Sequence, residues 1–513
     1  MAEERRLWLA LAAATVVVHA VAIGHYGYFR DELYFIACAH HMAWGYVDQP
    51  PFAVVAAWLA GFSGYAIGML RVLPVLAAAA TVWLTCAFVG DLGGGRVAQA
   101  LAGVSAMLSP PYLALGGTLV TTSFEPLCFT LVLWLTARVV RTNDRRLWLA
   151  VAAAVAFGLY AKYSMLLLAG AVVVSLACTR QRNILNSGWF LAGLALAVAL
   201  VMPNLLWQAN HGWPQLEVLR NEIATRHAWA GGMELEFSGW ARNARAFAIE
   251  QALYPNPLLL PLWIAGLVAL AFDRELSQYR FAAIAYAIVF VLAIAFEAKG
   301  YYIVGTYATL FAAGAVVVER RLRSHPALAR MLVPAAIAVS LPLLPLALPV
   351  LPVRTLVAYT AALGLTGRDR TPPMLVQPLF AEEFGWDGLA QRVADAYREL
   401  PAAQRAHTGI FADSYGDASA LNFYGPRYGL PPAVSGQNNF YLWGPGGYDG
   451  RSLIAVGATQ TEALKRSFGS VRLLGTFVDP YRRAVEGPDP IWLCTKPREP
   501  FDRLWANFKW FGA

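Results

Sequence analysis

The sequence predicts a polytopic α-helical membrane protein with about eleven transmembrane helices and a C-terminal soluble α/β domain, on three observations. Of 513 residues, 58% are apolar and 14% charged, against about 45–50% and about 25% in soluble globular chains. Apolar runs, several approaching the ~20 residues that cross a bilayer, follow one another up to Leu351. From about Pro352 the chain turns mixed in composition and rich in Gly and Pro, with no spanning run. Together these exclude a soluble enzyme, a disordered chain and a nucleic-acid-binding module. The net charge of +8 does not argue for nucleic acid. Lys and Arg outnumber Asp and Glu by 23 to 17 up to Leu351, but only by 17 to 15 beyond it, so the surplus sits where positive loops set membrane orientation.

The expected crossings are Leu7–Gly24, Met69–Gly90, Val97–Gly117, Phe124–Val140, Leu147–Tyr160, Tyr163–Cys178, Gly188–Trp207, Leu258–Phe272, Phe281–Phe296, Ile303–Val318 and Met331–Leu351. Leu7–Gly24 lacks a convincing cleavage site and reads as a signal-anchor helix. The stretch Leu147–Cys178 is one long helix or a hairpin. Arg145–Arg146 before it and Arg180–Arg182 after it favour a hairpin turning near Lys162. On that map fifteen basic residues lie on the side of the N-terminus. Seven lie opposite: Arg30, Lys162, Arg220, Arg226, Arg242, Arg245 and Lys299. The asymmetry predicts a cytoplasmic N-terminus. Eleven crossings then put the C-terminal region outside, in a bacterial inner membrane with a periplasmic tail. The expected domains are a transmembrane unit, 1–352, with outer loops 25–68 and 208–257, and an extracytoplasmic α/β domain, 353–513. In the latter, Gly409–Phe411 and Leu453–Val456 read as strands, Leu389–Leu400 and Thr461–Phe468 as helices. Of five cysteines only Cys494 lies in that domain, so no disulfide forms within it.

Acids near hydrocarbon are costly and either pair or serve a function. Ten of the seventeen in the membrane unit fall on the outer side: Asp31, Glu32, Asp48, Glu125, Glu217, Glu222, Glu234, Glu236, Glu250 and Glu297. The first outer loop carries Tyr28–Tyr34, with Arg30, Asp31 and Glu32, and then Gly45–Pro51, with Asp48 and Gln49. Later outer turns bring Thr121–Pro126, Lys162-Tyr163, Asn210–Pro214 with His211 and Trp213, and Lys299–Tyr302. Each has a plain structural role available. Arg30, Asp31 and Glu32 suit an interfacial ion pair, and Asp48 a turn. Glu125 before Pro126 suits a helix N-terminus, the lysines snorkelling, and the Trp and Tyr residues an interfacial belt. Their joint arrival on one side points instead to an active-site cavity. A transport pathway places such groups in mid-helix on both sides.

The aromatic-Arg-Asp-Glu-Leu-Tyr run Phe29–Tyr34, the segment Gly45–Pro51, Phe124–Leu127, Ala161–Tyr163, Pro203–Gln208 with His211–Pro214, and Lys299–Tyr302 occur in order. With these motifs the chain resembles the GT-C superfamily. More narrowly, it is similar to bacterial family 39 glycosyltransferases of the protein-mannosyltransferase and lipid A aminoarabinose-transferase type. The likeness covers roughly the first 320 residues, with Leu421–Gly425 and Ser435–Pro445 in the tail. It implies transfer of a sugar from a polyprenyl-phosphate donor to a lipid, glycan or protein acceptor on the outer face, usually with inversion. Inversion requires a base for the acceptor's proton, and the departing phosphate requires cations or hydrogen-bond donors. The resemblance assigns Asp31 as base, with Glu32 orienting it or binding the acceptor. Arg30, Lys162, Lys299 and Tyr302 become the phosphate clamp, and Asp48, Gln49, Glu125 and Trp213 line the substrate site. Related transferases often carry Lys before the Pro pair, where this chain has Gln49, and Asp where it has Glu125. Some members use a divalent cation, for which Asp48 and His211 are the candidate ligands. The partners expected are the lipid-linked donor, the acceptor and membrane lipids, with no nucleic acid. The alternatives are a transporter or flippase, hinted at by Pro110-Pro111, and a non-catalytic scaffold.

Overall fold

The computed structural model describes residues 2–229, 237–365, 375–459, 461–482 and 488–512, the side chains of residues 2, 225–229 and 237–242 excepted. Glu234 and Glu236, and the side chains of Arg226 and Arg242, therefore lie outside the described residues.

The membrane unit is a helical bundle: α1 (Ala2–Ala22), α2 (Arg30–Ala39), α3 (Phe52–Ala60), α4 (Ile67–Asp91), α5 (Arg96–Met107), α6 (Pro110–Gly117), α7 (Glu125–Thr142), α8 (Leu147–Ala161) and α9 (Met165–Ala177), then α10 (Gly188–Asn210), α11 (Pro214–Trp229), α12 (Phe237–Leu253), α13 (Leu260–Phe272), α14 (Arg280–Ala295), α15 (Tyr307–Arg321) and α16 (Pro326–Ser340). Among the described residues seven helical stretches are long and apolar enough to span a bilayer, or eight if the pair Asn243–Leu253 and Pro257–Phe272, bent by 85°, counts as one. The other expected crossings are helical but short. α8 and α9 have 15 and 13 residues, and Val97–Gly117 is broken into α5 and α6. The break follows from Pro110 and Pro111, which lack N–H groups and open a new helix. The polar groups around it are satisfied internally: Ser109 Oγ donates to Pro255 O at 2.9 Å, and His19 Nε2 bonds Leu113 O at 3.2 Å. Both partners are backbone carbonyls.

The hairpin reading of Leu147–Cys178 holds. Trp148 Nε1 donates to Ile184 O at 3.2 Å and Arg145 to Asn186 O at 3.4 Å. The start of α8 is thereby tied to the segment after α9, and Lys162 stands at the far turn. The bundle is packed closely enough that small residues decide it. On α13 and α15, a Cβ at Gly266 would strike Leu310 O and one at Gly314 would strike Leu262 O. α15 is the most deeply buried span, while α1, α10 and α16 present apolar faces outward, as a lipid-facing rim does.

The bundle has two unlike ends. At one, Arg141 pairs with Asp91 at 2.7 Å and Arg96 with Glu3 at 2.8 Å. There Glu319 also accepts from the amides of Val97 and Ala98 at the start of α5, both at 3.1 Å, a favourable place for a carboxylate. α4 carries Asp91 at this end and Arg71 twenty residues earlier, about 30 Å away along the helix. The C-terminal domain sits at the Arg71 end.

That domain holds a five-stranded sheet in the order β2-β1-β3-β5-β4, with β1 Thr408–Ala412, β2 Ala433–Val434, β3 Ser452–Val456, β4 Phe468–Phe477 and β5 Asp489–Pro497. β1 pairs in parallel with β2 and β3, and β5 runs antiparallel to β3 and β4. Both expected strands and both expected helices are present (Trp386–Arg398 and Thr461–Ser467). β2, β4 and β5 are additional. The domain is seated on the membrane unit rather than tethered to it. Phe423 packs on Tyr28 at 4.9 Å, Trp443 stacks on His41 at 4.3 Å, and Lys509 pairs with Glu217 at 2.8 Å.

Candidate active site

Phe29 caps α2, so Arg30, Asp31 and Glu32 occupy its first turn, where acids are favoured by the helix dipole. Successive helix positions point about 100° apart, and the two acids part company. Glu32 turns inward and is fully buried. Its Oε1 accepts from Arg71 Nε at 2.8 Å and Leu119 N at 3.0 Å, and its Oε2 from Arg71 Nη2 at 2.9 Å and Phe29 N at 2.8 Å. Arg71 also donates to Ile23 O and Gly27 O and meets Glu383 at 3.4 Å. Burial and the adjacent Glu32 push the Glu383 carboxyl up to about 8, against the pull of Arg71. The Glu32 oxygens are consumed by a buried structural node, because a carboxylate in that position must be fully paired.

Asp31 turns the other way, with its side chain 28% exposed. Its Oδ1 accepts from Tyr415 Oη at 2.9 Å and lies 3.5 Å from Arg30 Nε. Arg30 reaches Glu382 at 3.6 Å and lies over the Tyr415 ring at 5.1 Å.

The Gly45–Pro51 segment is knitted to the neighbouring motifs. Asn204 Nδ2 donates to Trp44 O at 2.8 Å, Gln208 Nε2 to Tyr46 O at 3.0 Å, and Tyr163 Oη to Asn204 Oδ1 at 3.0 Å. Asp48 accepts from Tyr34 Oη at 3.0 Å, Asn438 Nδ2 at 3.1 Å and Asn439 Nδ2 at 3.3 Å. Burial nonetheless pushes its carboxyl up to about 7, and the nearby Asp31 and Glu222 charges act in the same direction. Gln49 is buried, its amide directed at Cys38 Sγ, 4.0 Å away. In this geometry it braces the loop from inside.

Lys162 is the hub of the second half of the site. Its Nζ donates to Thr122 Oγ1 at 2.6 Å, lies 3.8 Å from Glu125 Oε2, and sits 4.2 Å over the Tyr302 ring and 4.9 Å over that of Tyr301. Glu125 opens α7, buried, and Ser164 Oγ bonds its other oxygen. Burial lowers the Lys162 ammonium from its ordinary value, and among the charges that act on it Glu125 opposes this while Lys299 adds to it. Tyr301 lies within electrostatic reach of both Asp31 and Glu125. Asp31 therefore lies within charge–charge range of the cluster of Glu125, Lys162, Lys299 and Tyr302.

Trp213 and His211 stand apart from those contacts. They lie on the exposed turn after α10, with Trp213 at φ +58° and the His211 ring stacked on Trp207 at 4.0 Å, its Nδ1 bonded to Trp207 O. Asp48 is engaged by three donors at the domain contact, and His211 by its own helix end. Among the described residues no group of three or more His, Cys, Asp or Glu is placed to hold a metal ion.

Several members of the site lay outside the sequence reading. Arg71 carried a signal, a lone arginine within a long apolar run. Ser164 adjoined a quoted motif, and Tyr301 stood inside one without an assigned role. Asn438 and Asn439 stood in the Ser435–Pro445 stretch without an assigned partner, while Tyr415, Glu382 and Glu383 carried no signal, since their role depends on how the C-terminal domain docks.

Residues 48–207 match the family model described as dolichyl-phosphate-mannose-protein mannosyltransferase. The stretch includes Asp48, Glu125 and Lys162 but not Asp31 or Lys299. Comparison with curated protein sequences gives no match. Among solved structures, the chain is similar to ArnT from Cupriavidus metallidurans in the apo state. The TM-score is 0.58 at 15% identity, over 94% of this chain and 97% of that one. It is also similar to the same protein bound to undecaprenyl phosphate, with TM-score 0.55 at 14% identity and the same coverage. At such identities the likeness speaks to architecture, and it extends from the membrane bundle through the small C-terminal sheet. The chain therefore has the GT-C glycosyltransferase fold of the protein-mannosyltransferase and ArnT type.

Proposed function

We propose that the chain is a membrane glycosyltransferase that moves a sugar from a polyprenyl-phosphate donor to an acceptor hydroxyl, with inversion and with Asp31 as general base. The observation that carries this is the gathering of Asp31, Glu125, Lys162, Lys299 and Tyr302 at one end of a GT-C bundle, under the C-terminal domain. The structural neighbour that binds undecaprenyl phosphate supports the donor class.

In the reaction, the acceptor oxygen attacks the anomeric carbon from the face opposite the phosphate. Asp31, partly exposed, takes the hydroxyl proton as the new C–O bond forms. The old bond breaks toward phosphate oxygen, and the charge that develops there is met by Lys162, Lys299, Arg30 and Tyr302. Glu125 and Thr122 hold the Lys162 ammonium in place before the donor arrives. The apolar flanks between helices take the prenyl chain. The basic-residue asymmetry of the loops supports a cytoplasmic N-terminus, and with it an extracytoplasmic site and C-terminal domain in a bacterial inner membrane.

The test is transfer from a radiolabelled lipid-linked donor in membranes carrying Asp31→Asn. A fall on the order of 10²–10⁴-fold is expected for loss of a general base, while undiminished transfer rejects the assignment. The transporter alternative predicts an intact sugar–phosphate bond in the same assay.

A further inference from the structure

We infer that Tyr415, contributed by the C-terminal domain, is the positioning residue for Asp31, so that the catalytic end of the membrane unit is complete only when this domain is docked. The inference rests on the reading of Asp31 as base given above.

The geometry is specific. Tyr415 follows β1 and opens the helix Tyr415–Tyr424, whose N-cap Ser414 accepts from Asp417 N at 3.0 Å. Its own amide donates to Gln437 Oε1 at 2.7 Å, which sets the residue from both sides. The ring is buried between Tyr34, 4.5 Å away, and the Arg30 guanidinium, 5.1 Å away. From that slot the hydroxyl donates to Asp31 Oδ1 at 2.9 Å. Gly416 is what lets Arg30 pass, since a Cβ there would stand 2.7 Å from Arg30 Cγ.

The placement has a fold-level reason. In open α/β sheets, binding and catalytic groups emerge at the C-terminal edge of the parallel strands, beside the point where strand order reverses. Here β1 lies between β2 and β3, and Tyr415 leaves the C-terminal edge of β1. Gln437, Asn438 and Asn439 leave that of β2. The edge that would hold a small ligand in a free-standing domain is pressed against the first outer loop, where Tyr415 takes Asp31 and the two asparagines take Asp48.

A hydroxyl donor on one carboxylate oxygen holds the Asp31 side chain in a single orientation and leaves its second oxygen for the acceptor proton. The other charged and titratable groups around this pair are Arg30 and Glu382 beside it, Tyr34 and Asp48 below, and Tyr301 from the start of the α15 segment.

The experiment is Tyr415→Phe in the full-length protein, beside Asp31→Asn, with kcat and donor KM measured across pH. Phe keeps the ring between Tyr34 and Arg30, so the domain stays docked, and unfolding in detergent checks this. The expected result is a fall in kcat of about 10- to 100-fold, the scale of a hydrogen bond to a charged group, with donor KM unchanged. Two results overturn the inference while leaving Asp31 as base: wild-type kcat in Tyr415→Phe beside an inactive Asp31→Asn, or a lower rate that tracks lost stability or resides in donor KM rather than kcat. Full activity in Asp31→Asn overturns the reading of the base itself, and the inference with it.

Discussion

Arg71→Met breaks the most deeply buried ion pair among the described residues. Both Arg71 and Glu32 are inaccessible to solvent, and the Glu32 carboxylate draws two of its four short contacts from the guanidinium, at 2.8 and 2.9 Å. The same guanidinium holds two carbonyls at the exit of α1 and reaches Glu383 of the C-terminal domain. Removing it strands a buried carboxylate, which costs about 3–5 kcal/mol, whereas replacing both partners by neutral groups of similar volume costs far less. The assay is a double-mutant cycle on unfolding in detergent, with Arg71→Met, Glu32→Gln and the pair. Each single variant should lose about 3–5 kcal/mol, and the pair should fall short of their sum by up to about 3 kcal/mol. Protease should also reach the C-terminal domain sooner in Arg71→Met, since the node links that domain to α2 and α4. Single losses within about 0.5 kcal/mol of wild type, as for ordinary surface changes, or strictly additive losses, would refute the account of Glu32 as a structural residue.

Three further outcomes are expected. Lys162→Met should raise donor KM by about 10- to 100-fold, as expected for losing a charged contact to phosphate. An unchanged KM in a folded variant would remove Lys162 from the clamp. Asp48 binds its proton up to about pH 7 in the folded chain, against an ordinary value near 3.9. The native state therefore holds the extra proton between about pH 4 and 7, and stability falls as pH rises through that window, by about 4 kcal/mol at most. Asp48→Asn should flatten the curve, and an identical slope in that variant would assign the effect to another group. Gly314→Val should drive α15 from α13, because its side chain meets Leu262 O, at about 1–3 kcal/mol. An unfolding midpoint equal to wild type would contradict that close approach.

Composition and apolar runs were enough to declare a membrane bundle followed by a mixed α/β domain, because bilayer solvation acts on every residue of a span and leaves a long, redundant signal. The hairpin at Lys162 was legible for a similar reason, since charge counts on two flanks report one topological fact. Span lengths were less legible: Pro110 and Pro111 end a helix without ending the apolar run, so Val97–Gly117 reads as a single crossing. The short strand β2 was hidden because two residues carry no period.

The site divides along the same line. Arg30, Asp31, Lys162 and Lys299-Gly300-Tyr301-Tyr302 were visible as local motifs, each next to a helix end. Which of the adjacent acids stays exposed was not visible, because Asp31 and Glu32 differ only by one step around α2, and the choice is made by Arg71 from another helix. Gln49 and Trp213 carry side chains suited to a substrate, yet the first is turned inward and the second stands on an exposed turn. Tyr415, Asn438 and Asn439 meet the first outer loop from nearly four hundred residues away. Local pattern records the solvent a segment must suit and the bends it can make. The pairing of a buried charge or a lone hydroxyl with its partner is set by docking of distant surfaces, and that information exists only once the chain is folded.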